Sequence, residues 1–459
     1  MGRNRNSVPR RCGNRRKGPS MNLPEKYALR MKNLLGAEFD DYVRSLDMPP
    51  VRALKVNTDK ISVDDFIRYS GLNLEKCGFA DDCLFLRSDE KIGKTPFHHG
   101  GAIYVQEPGA MLPVIAANLQ KTDVALDLCA APGGKTVQAA GKVRELISNE
   151  ADAKRAKTLV GNVVRTGLKN VVVTNAFPDK LCEYFPEYFD AVICDVPCSG
   201  EGMMRKEPQA VLNWSEENVS GCAARQREIL FSADKMLRAG GKLVYSTCTF
   251  APEENEKQVE FLVNELGYEL LPPSDAVLPF SCGGVPVGNL NPEYMRRVYP
   301  HKGVGEGQFF AVLKKSGAEN RAPLRFKSRQ CEKVKAVDAF FSEFAKEKPA
   351  YFMLGDVAVS PSVALPKFLP CALTRGVKLG EIAGSRFVPS HDCFLAMSEI
   401  FVSSVEVDDA AAEKYLRGEE IPCEKKGWCV VTYRGVPLGG GKASGGTLKN
   451  HYPKGLRNV

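Results

Sequence analysis

The sequence contains no pair of cysteines at C-x-x-C spacing, although it holds 15 cysteines among 459 residues. An odd number of cysteines at irregular spacing in a long chain argues against a disulfide framework and against a zinc site. It indicates free thiols in a reducing compartment. We therefore expect a cytoplasmic protein without a bound metal, and a thiol-rich redox or metal protein is the disfavoured alternative.

Long apolar runs are also missing from the chain. No stretch approaches the ~18–20 apolar residues of a membrane-spanning helix, and the basic N-terminus is not followed by the apolar core of a secretory signal. Hydrophobic residues make up 44% of the chain and charged residues 26%, as in ordinary globular proteins. The length predicts two to four domains, and we expect a monomer without a membrane partner.

The net charge of +8 is a weaker sign of a nucleic-acid partner than its size suggests. Seven of the positive charges lie within residues 1–20, which contain no acidic residue, so the rest of the chain has a net charge of only +1. Residues 1–20 are predicted to be a disordered basic tail, which either contacts phosphates or has no role. Any RNA-binding surface must therefore come from local patches.

The pattern of apolar residues predicts an α/β protein in three parts. Helical spacing at the start and short strand-like runs after it predict a small α+β N-terminal domain at residues 21–105. Strands alternate with helices over residues 106–316, which is typical of a doubly wound, Rossmann-like sheet. Residues 317–335 form a polar, basic linker, and short β-like runs predict a β-rich C-terminal module at residues 336–459.

A glycine-rich loop follows the first strand of the predicted core. It reads Asp127-Leu-Cys-Ala-Ala-Pro-Gly-Gly-Lys135, and its two glycines would let a ligand approach backbone N–H groups at a helix start. Glu150 ends the next predicted strand, where a carboxylate can bind ribose hydroxyls. Because both the Walker and the G-x-G-x-x-G phosphate motifs are absent, the loop suits a nucleoside without a polyphosphate, such as S-adenosylmethionine. A simple tight turn is the alternative reading.

Two further segments come directly after predicted strands and carry cysteines. The first is Asp195-Val-Pro-Cys-Ser-Gly-Glu-Gly-Met203, and the second is Tyr245-Ser-Thr-Cys-Thr-Phe250. The carboxyl ends of strands in an open α/β sheet line one crevice, so we expect Asp195, Cys198 and Cys248 to face the glycine loop. A lone cysteine is more often a small buried hydrophobe, but two in such positions favour a chemical role.

Two thiols and a carboxylate suit methylation of a pyrimidine at C5. C5 of cytosine is a poor nucleophile until a thiolate adds to C6, which divides one hard step into easier ones. Cys248 is our candidate nucleophile, Asp195 the partner of N3, where charge develops, and Cys198 an aid to thiol release. Such chemistry needs a target base that is exposed or flipped out of its stack.

These segments resemble the three signature motifs of the Nop/Sun family of RNA cytosine-C5 methyltransferases. The likeness covers residues 21–459, and the chain order and C-terminus are similar to the bacterial RsmF branch of that family. The resemblance implies S-adenosylmethionine as methyl donor, a PUA-like RNA-binding end, and structured RNA as the partner. It favours 16S ribosomal RNA as substrate, with transfer RNA second; a non-catalytic ribosome-assembly factor that keeps the fold is the remaining alternative.

The resemblance also implies which residues contact the cofactor, and it shows one departure. The implied contacts are Cys129, Ala130, Ala131, Pro132, Gly133, Gly134, Lys135, Glu150 and Asp195. The family often has an Asp near the adenine after the strand Val171–Thr174, where this chain has Phe177, with Asp179 two residues on. Phe177 either stacks on the adenine, or a carboxylate contact is lost and cofactor affinity falls.

Other residues have both a functional and a structural reading. His98, His99 and His391 could touch RNA phosphates but are more often loop or capping residues. Trp214 could stack on a base or be buried against a helix, and Lys206 could steer phosphates or be a surface charge. Gly439–Gly441 with Lys442 could approach an RNA backbone or form an ordinary turn.

Overall fold

The structure is a computed structural model that describes residues 22–317, 326–327 and 330–458. The predicted basic tail at residues 1–20 lies outside the described residues, and so do residues 318–325 and 328–329 of the predicted linker. None of the helices in the described ranges is long and apolar enough to cross a bilayer.

The N-terminal part begins with two helices and continues as a four-stranded antiparallel sheet of order β2-β3-β1-β4. Its elements are α1 Glu25–Leu35, α2 Phe39–Leu46, β1 Ala53–Val56, α3 Val63–Ser70, β2 Leu74–Lys76, β3 Cys83–Leu86, α4 Pro96–His99 and β4 Ile103–Gln106. The sequence predicts one helical run from Leu23 to Leu46, but Gly36, with φ of +55°, ends the first helix. The two helices therefore meet at a bend.

The central part contains a nine-stranded sheet. Its elements are α5 Leu112–Ala116, β5 Val124–Asp127, α6 Gly134–Ala140, β6 Glu145–Asn149, α7 Ala153–Thr166, β7 Val171–Thr174, α8 Pro178–Leu181, β8 Phe189–Asp195, α9 Pro208–Asn213, α10 Glu216–Met236, β9 Leu237–Thr247, α11 Glu256–Asn264, β10 Tyr268–Leu271, β11 Cys282–Gly283, β12 Met295–Val298 and β13 Gln308–Lys315. Strands β5 and β7 are buried along their whole length, as continuous apolar runs in parallel sheets are.

The order of the parallel strands fixes where a ligand can bind. The sheet runs β7-β6-β5-β8-β9, all parallel, so the chain winds outward from β5 in one direction and then returns to β8 on its other side. The strand order thus reverses between β5 and β8. In open α/β sheets ligands bind outside the carboxyl ends of the strands at such a point.

Three local predictions for this part are wrong. The sequence predicts a helix from Gln106 to Asn118, but the Glu107 carboxylate accepts the N–H groups of Gly109 and Ala110 and forms a turn first. Helix α10 begins seven residues before the predicted start at Ala223, because Ser215 caps it. The strand predicted as the antiparallel edge is β13, which lies inside the sheet between β9 and the pair β10 and β12.

The C-terminal part is β-rich, as the sequence predicts, and forms two small sheets. Its elements are α12 Lys335–Phe344, β14 Phe352–Leu354, β15 Val357–Pro361, β16 Gly376–Ala383, β17 Arg386–Pro389, α13 His391–Ala396, β18 Ser404–Glu406, α14 Asp409–Arg417, β19 Ile421–Pro422, β20 Gly427–Tyr433, β21 Val436–Ser444 and β22 Thr447–Asn450. The first sheet has the order β14-β15-β16-β17, and the second β18-β20-β21-β22-β19.

The hydrophobic cores do not follow the order of the chain. Helices α1 and α2 pack through Tyr27 and Tyr42 against Trp214 and Phe250 of the central part. The N-terminal sheet instead shares a core with the second C-terminal sheet. The sequence predicts separate N-terminal and C-terminal parts. In the structure, buried apolar contacts join the two.

The C-terminal part also covers an edge of the central sheet. Residues Leu373 and Thr374 donate their backbone N–H groups to the carbonyl of Val173 in β7, at 2.9 and 3.2 Å. The Thr374 hydroxyl accepts the N–H of Val173 at 2.8 Å. An open edge strand would expose unpaired backbone groups, and this segment satisfies part of that edge.

A buried ion pair anchors the segment that follows β9. Arg297 of β12 donates two hydrogen bonds of 2.6 Å to Glu256 of α11, and both side chains are 1% exposed. The guanidinium also donates to the carbonyl of Phe250 at 2.8 Å. The pair therefore connects the end of the Cys248 segment to the sheet.

Replacing Arg297 with Leu is expected to lower the free energy of unfolding by about 3–5 kcal/mol, because Glu256 would be left buried and unpaired. Arg68→Leu is the matched control, since Arg68 pairs with Asp65 at the surface with 67% of its side chain exposed, and it should change stability by less than about 1 kcal/mol. Chemical denaturation measures both. Equal stabilities for the two variants would refute the anchoring role of the pair.

Candidate active site at the carboxyl edge of the central sheet

The two signature cysteines meet at the carboxyl ends of neighbouring parallel strands. Strands β8 and β9 pair with Asp195 opposite Ser246, so the loops that follow them leave the sheet side by side. The Sγ atoms of Cys198 and Cys248 lie 3.3 Å apart, and both residues are partly exposed. The hydrogen bond to Cys248, together with burial, raises the pKa of the Cys198 thiol well above its usual value.

Asp195 is held between the two halves of the sheet. Its Oδ2 lies 2.8 Å from the Nζ of Lys135, which comes from α6 on the other side of the reversal point. Its Oδ1 accepts the Ser246 hydroxyl at 2.7 Å and is 3.5 Å from the Nε2 of Gln308. About a third of the Asp195 side chain remains exposed, so the carboxylate stays accessible from the crevice.

The glycine loop crosses the reversal point as a tight turn. Gly133 has φ of +118°, a conformation that other residues rarely adopt. A Cβ atom at Gly134 would lie 2.9 Å from the side chain of Gln106. The positive φ thus explains Gly133 and close packing explains Gly134. Both observations agree with the tight turn that the sequence offered as the alternative to ligand approach, and they keep the loop in one shape.

A buried carboxyl lies beneath this loop. Asp127 Oδ2 accepts the Thr136 hydroxyl at 2.7 Å, and Thr136 also contacts Ser148 at 3.0 Å. Burial raises the pKa of Asp127 to about 7. Its Oδ1 is buried and finds no hydrogen-bond partner within the described residues. A ligand with a donor group at this position would satisfy it.

Glu150 closes the other side of the loop. It accepts the N–H of Ala131 at 3.3 Å and the N–H of Asp152 at 3.0 Å. Arg155 lies 3.5 Å from the Glu150 carboxylate and donates to the carbonyl of Ala131 at 2.7 Å. Glu150 is thereby placed directly behind the residues of the glycine loop.

The remaining loop residues predicted to contact the cofactor lie around the same turn. The N–H of Ala130 donates to the carbonyl of Asn149 at 2.8 Å, which joins the loop to β6. Asn162 donates to the carbonyl of Pro132 at 2.8 Å. Cys129 is partly exposed, and burial raises the pKa of its thiol well above the usual value, so it stays a neutral thiol.

Phe177 follows β7 with 67% of its surface exposed. The preceding Asn175 donates to the carbonyls of Glu150 and Ala151 at 2.7 and 3.0 Å, which holds this loop beside Glu150. The ring is therefore free to stack on a planar group bound near Glu150. Asp179 lies in the first turn of α8.

Sequence reasoning missed several groups that shape the site. Ser246 and Gln308 both contact Asp195. Ser246 lies inside the Cys248 segment but was given no role there, and Gln308 lies outside every motif and is distant in the chain. Glu254 had no predicted role either. It is fully buried and accepts hydrogen bonds from the Cys198 loop.

The structure favours the structural reading of the three histidines over contact with RNA phosphates. His99 bonds the Tyr452 hydroxyl at 2.6 Å and Asn458 at 3.0 Å. Burial lowers the pKa of both His98 and His391 to about 4, so these side chains are neutral at physiological pH. All three belong to the junction between the N-terminal and C-terminal parts.

Trp214 and Lys206 both contact buried carboxylates of the protein itself. Trp214 is buried and donates its indole N–H to Glu201 at 2.7 Å. The Nζ of Lys206 lies 4.0 Å from the buried Glu306. These contacts favour the structural reading of each residue over direct recognition of RNA.

The glycines at 439–441 are buried within β21, so they do not form an exposed turn. A Cβ atom at Gly440 would lie 2.4 Å from the ring of Phe394, which explains the glycine by close packing. The neighbouring Lys442 is exposed. In the described part of the chain, no group of three or more His, Cys, Asp or Glu residues could hold a metal ion.

Comparison with known proteins gives matches along most of the chain. Family models described as "N-terminal domain of 16S rRNA methyltransferase RsmF", "16S rRNA methyltransferase RsmB/F" and "Methyltransferase RsmF PUA domain" match residues 23–108, 114–314 and 402–458. A ribosomal RNA small subunit methyltransferase F from Klebsiella pneumoniae is 33% identical over 95% of this chain and 96% of its own. The same-named protein from Escherichia fergusonii is 30% identical over equal shares.

Solved structures agree with this match. A methyltransferase homologue from Pyrococcus horikoshii is 27% identical, with a TM-score of 0.55 over 65% of this chain and 100% of its own. NSun6 from the same organism, solved with SFG, is 23% identical and has a TM-score of 0.57 over 64% of this chain and 99% of its own. The latter likeness shows the fold alone.

Backbone contact between two loops leaves no room for a side chain at Gly202. Its N–H donates to the carbonyl of Cys248 at 2.9 Å, and its own carbonyl accepts the N–H of Gly307 at 3.3 Å. A Cβ at Gly202 would lie 2.5 Å from the Cα of Gly307. The loop after β8 is therefore packed directly against the Cys248 loop.

Gly202→Ala is expected to cost about 1–3 kcal/mol of stability, as overpacking does, and to displace the Cys248 loop. Gly221→Ala, in helix α10 with open space around its Cβ, is the control and should be neutral or stabilising by about 0.5–1 kcal/mol. Thermal unfolding distinguishes the two. A Gly202→Ala protein as stable as the control would contradict the close contact.

Proposed function

This chain is a methyltransferase of the 16S rRNA methyltransferase RsmB/F family, with S-adenosylmethionine as its methyl donor, and on that premise we propose that it methylates C5 of a cytidine in 16S ribosomal RNA. The observation that carries the proposal is the pair of sulfurs of Cys198 and Cys248, 3.3 Å apart beside Asp195. A base extruded from structured RNA can present its C6 to one sulfur there. We further propose that the protein acts in the cytoplasm as a monomer.

The residues of the glycine loop fit a nucleoside cofactor. Residues Cys129 to Lys135 would enclose it, Glu150 would bind its ribose hydroxyls, and Phe177 would cover its base. The buried Asp127 Oδ1, which lacks a partner within the described ranges, can accept a donor group of the ligand. When bound, the cofactor supplies an electrophilic methyl group to C5 of the target base.

The protein side of the reaction begins at Cys248. Its thiol loses its proton and the sulfur bonds to C6 of cytosine. The electrons of the C5–C6 double bond move toward N3, and N3 takes up the proton that the thiol has lost. Asp195 is the group proposed to hydrogen-bond N3, and Lys135 and Ser246 hold it in place at 2.8 and 2.7 Å. C5 becomes nucleophilic as a result, and the methyl group transfers to it.

Release of the product requires loss of the C5 proton to solvent and cleavage of the bond between C6 and the Cys248 sulfur. The sulfur leaves with the electron pair of that bond and takes back the proton from N3, and the C5–C6 double bond is restored. The hydrogen bond to Cys248 and burial raise the pKa of Cys198, so its thiol stays protonated beside the departing sulfur. We propose that Cys198 hydrogen-bonds that sulfur and so assists the elimination.

We propose that residues 21–105 and 336–459 hold the RNA while residues 106–316 carry out the chemistry, with residues 317–335 as the connection. The shared core of the N-terminal sheet and the second C-terminal sheet supports this. It joins the two proposed RNA-binding parts into one body. Exposed lysines of that body, Lys442 and Lys449 among them, are suited to phosphate contacts.

Cys248→Ser is expected to abolish methyl transfer, and Cys198→Ala to accumulate a covalent RNA–protein adduct, because adduct formation is intact but release is not. Tritium transfer and denaturing gels measure the two effects on 16S rRNA and, in parallel, on bulk transfer RNA. Cys182→Ala, a change at another partly exposed cysteine, should behave as wild type.

An active Cys198→Ala enzyme that forms no adduct would remove Cys198 from the mechanism. Methyl transfer to transfer RNA, with none to 16S rRNA, would overturn the proposed substrate.

Glu150→Ala is expected to weaken binding of S-adenosylmethionine about tenfold or more, since hydrogen bonds to a charged group contribute about 1.5–3 kcal/mol each. Glu145→Ala is the matched control, because Glu145 lies at the opposite end of the same strand, and its Kd should change less than about twofold. Titration calorimetry measures both constants. An unchanged Kd for the Glu150 variant would place the cofactor elsewhere.

A further inference from the structure

We propose that Glu254 is a positioning residue for this reaction: its buried carboxyl group holds the loop of Cys198 against the loop of Cys248 and so sets the distance between the two sulfurs. The inference rests on the proposed function for its meaning in catalysis. Its geometric part can be tested without any methyl transfer.

Three donors converge on the Glu254 carboxyl group. The N–H of Ser199 donates to Oε2 at 2.9 Å, and the Ser199 hydroxyl donates to Oε1 at 2.5 Å. The amide of Gln226 in α10 donates to Oε2 at 2.9 Å. Glu254 is 0% exposed. Both of its carboxyl oxygens are already bonded to protein donors, so we expect any effect on the reaction to act through these neighbours.

These contacts fix both chain neighbours of Cys198. Ser199, which follows Cys198, is held by Glu254 at its N–H and its hydroxyl. Pro197, which precedes it, has its carbonyl bound by the same Gln226 amide at 3.0 Å. Because both adjoining peptide units are tied down, the Cys198 side chain has little freedom to move away from Cys248.

The same network reaches the Cys248 loop directly. The Ser199 hydroxyl lies 2.8 Å from the hydroxyl of Thr249, the residue after Cys248. The Tyr245 hydroxyl, from the strand before Cys248, donates to the backbone carbonyl of Glu254 at 2.5 Å and lies 3.1 Å from the Oε1 of Gln226. Glu254 thus links the residues that flank one cysteine to the residues that flank the other.

The network works through hydrogen bonds and does not require the charge. Burial raises the pKa of Glu254 to about 7, and the nearby Glu201 acts in the same direction. Cys198, Cys222 and Tyr245 are the other titratable groups that Glu254 influences. In the neutral form, a proton on Oε1 can be donated to the Ser199 hydroxyl, which then donates to Thr249. Every partner stays satisfied in both forms.

Because the hydrogen bond between Glu254 and the Ser199 hydroxyl can run in either direction, two substitutions of Glu254 should have different effects. In Glu254→Gln the amide nitrogen can take the place of Oε1 and donate to Ser199, while its oxygen accepts from the Ser199 N–H and from Gln226. In Glu254→Ala these donors lose their buried acceptor, and the Cys198 loop is released. A displacement of about 1 Å at a reacting group can cost about a hundredfold in rate.

The test measures kcat, KM and the rate at which diamide oxidises Cys198 and Cys248 to a disulfide, followed by peptide mapping. Diamide takes up the two hydrogens that the thiols lose, so the reaction needs only the two sulfurs in contact. Glu254→Ala should lower kcat about a hundredfold with KM changed less than about threefold, and should slow cross-linking about tenfold. Glu254→Gln should retain most of both rates and the wild-type pH profile.

Two further variants complete the experiment. Ser199→Ala removes the hydroxyl link but keeps the N–H contact, so intermediate losses of both rates are expected even if Glu254→Ala does not fold. Glu253→Ala is the control, because Glu253 pairs with Arg30 at 2.8 Å on the partly exposed side, and should leave cross-linking unchanged.

The proposal would be overturned if Glu254→Ala and Ser199→Ala formed the disulfide at the wild-type rate. It would also be overturned if Glu254→Gln and Glu254→Ala lost equal shares of kcat and of the cross-linking rate. If neither the wild-type protein nor any variant methylates RNA, but the variants still differ in their rate of cross-linking, the proposed function fails and the positioning role stands.

Discussion

The site depends on the parallel pairing of β8 with β9. Parallel neighbours end at the same edge of a sheet, and the register that sets Asp195 opposite Ser246 places the two following loops in contact. The 3.3 Å separation of the two sulfurs follows from that register and from the loop contacts above it. A one-residue slip would direct these side chains to the opposite face and separate the pair.

Buried carboxylates then fix the loops above the sheet, each through a different partner. Glu201 accepts the indole of Trp214 and the N–H of Phe250 at 2.7 and 2.9 Å. Glu256 pairs with Arg297, and Glu254 accepts from the Cys198 loop. Buried acceptors are costly unless their bonds are made, so each of these side chains favours one arrangement of the segments around Cys248. The side chains of Cys198 and Cys248 themselves stay partly exposed.

The sequence predicts the central sheet well because its strands are continuous apolar runs; the predicted strand Val171–Thr174 has the observed bounds. It also brings Asp195, Cys198 and Cys248 to one edge by the rule for parallel strands. It could not predict the core shared by the N-terminal and C-terminal sheets, whose residues are distant in the chain. The contact of Gln308 with Asp195 depends on β13 and β8 both pairing with β9, and the periodicity of apolar residues does not reveal which strands pair.

The most direct test of covalent catalysis uses 16S rRNA in which cytidine is replaced by 5-fluorocytidine. After methyl transfer, fluorine at C5 cannot leave as a proton does, so the bond to the nucleophile should persist. Digestion and mass spectrometry should then find the modified nucleotide attached to the peptide that contains Cys248, in the presence of S-adenosylmethionine. Attachment at another cysteine, or no attachment by an enzyme that methylates unmodified RNA, would contradict the account.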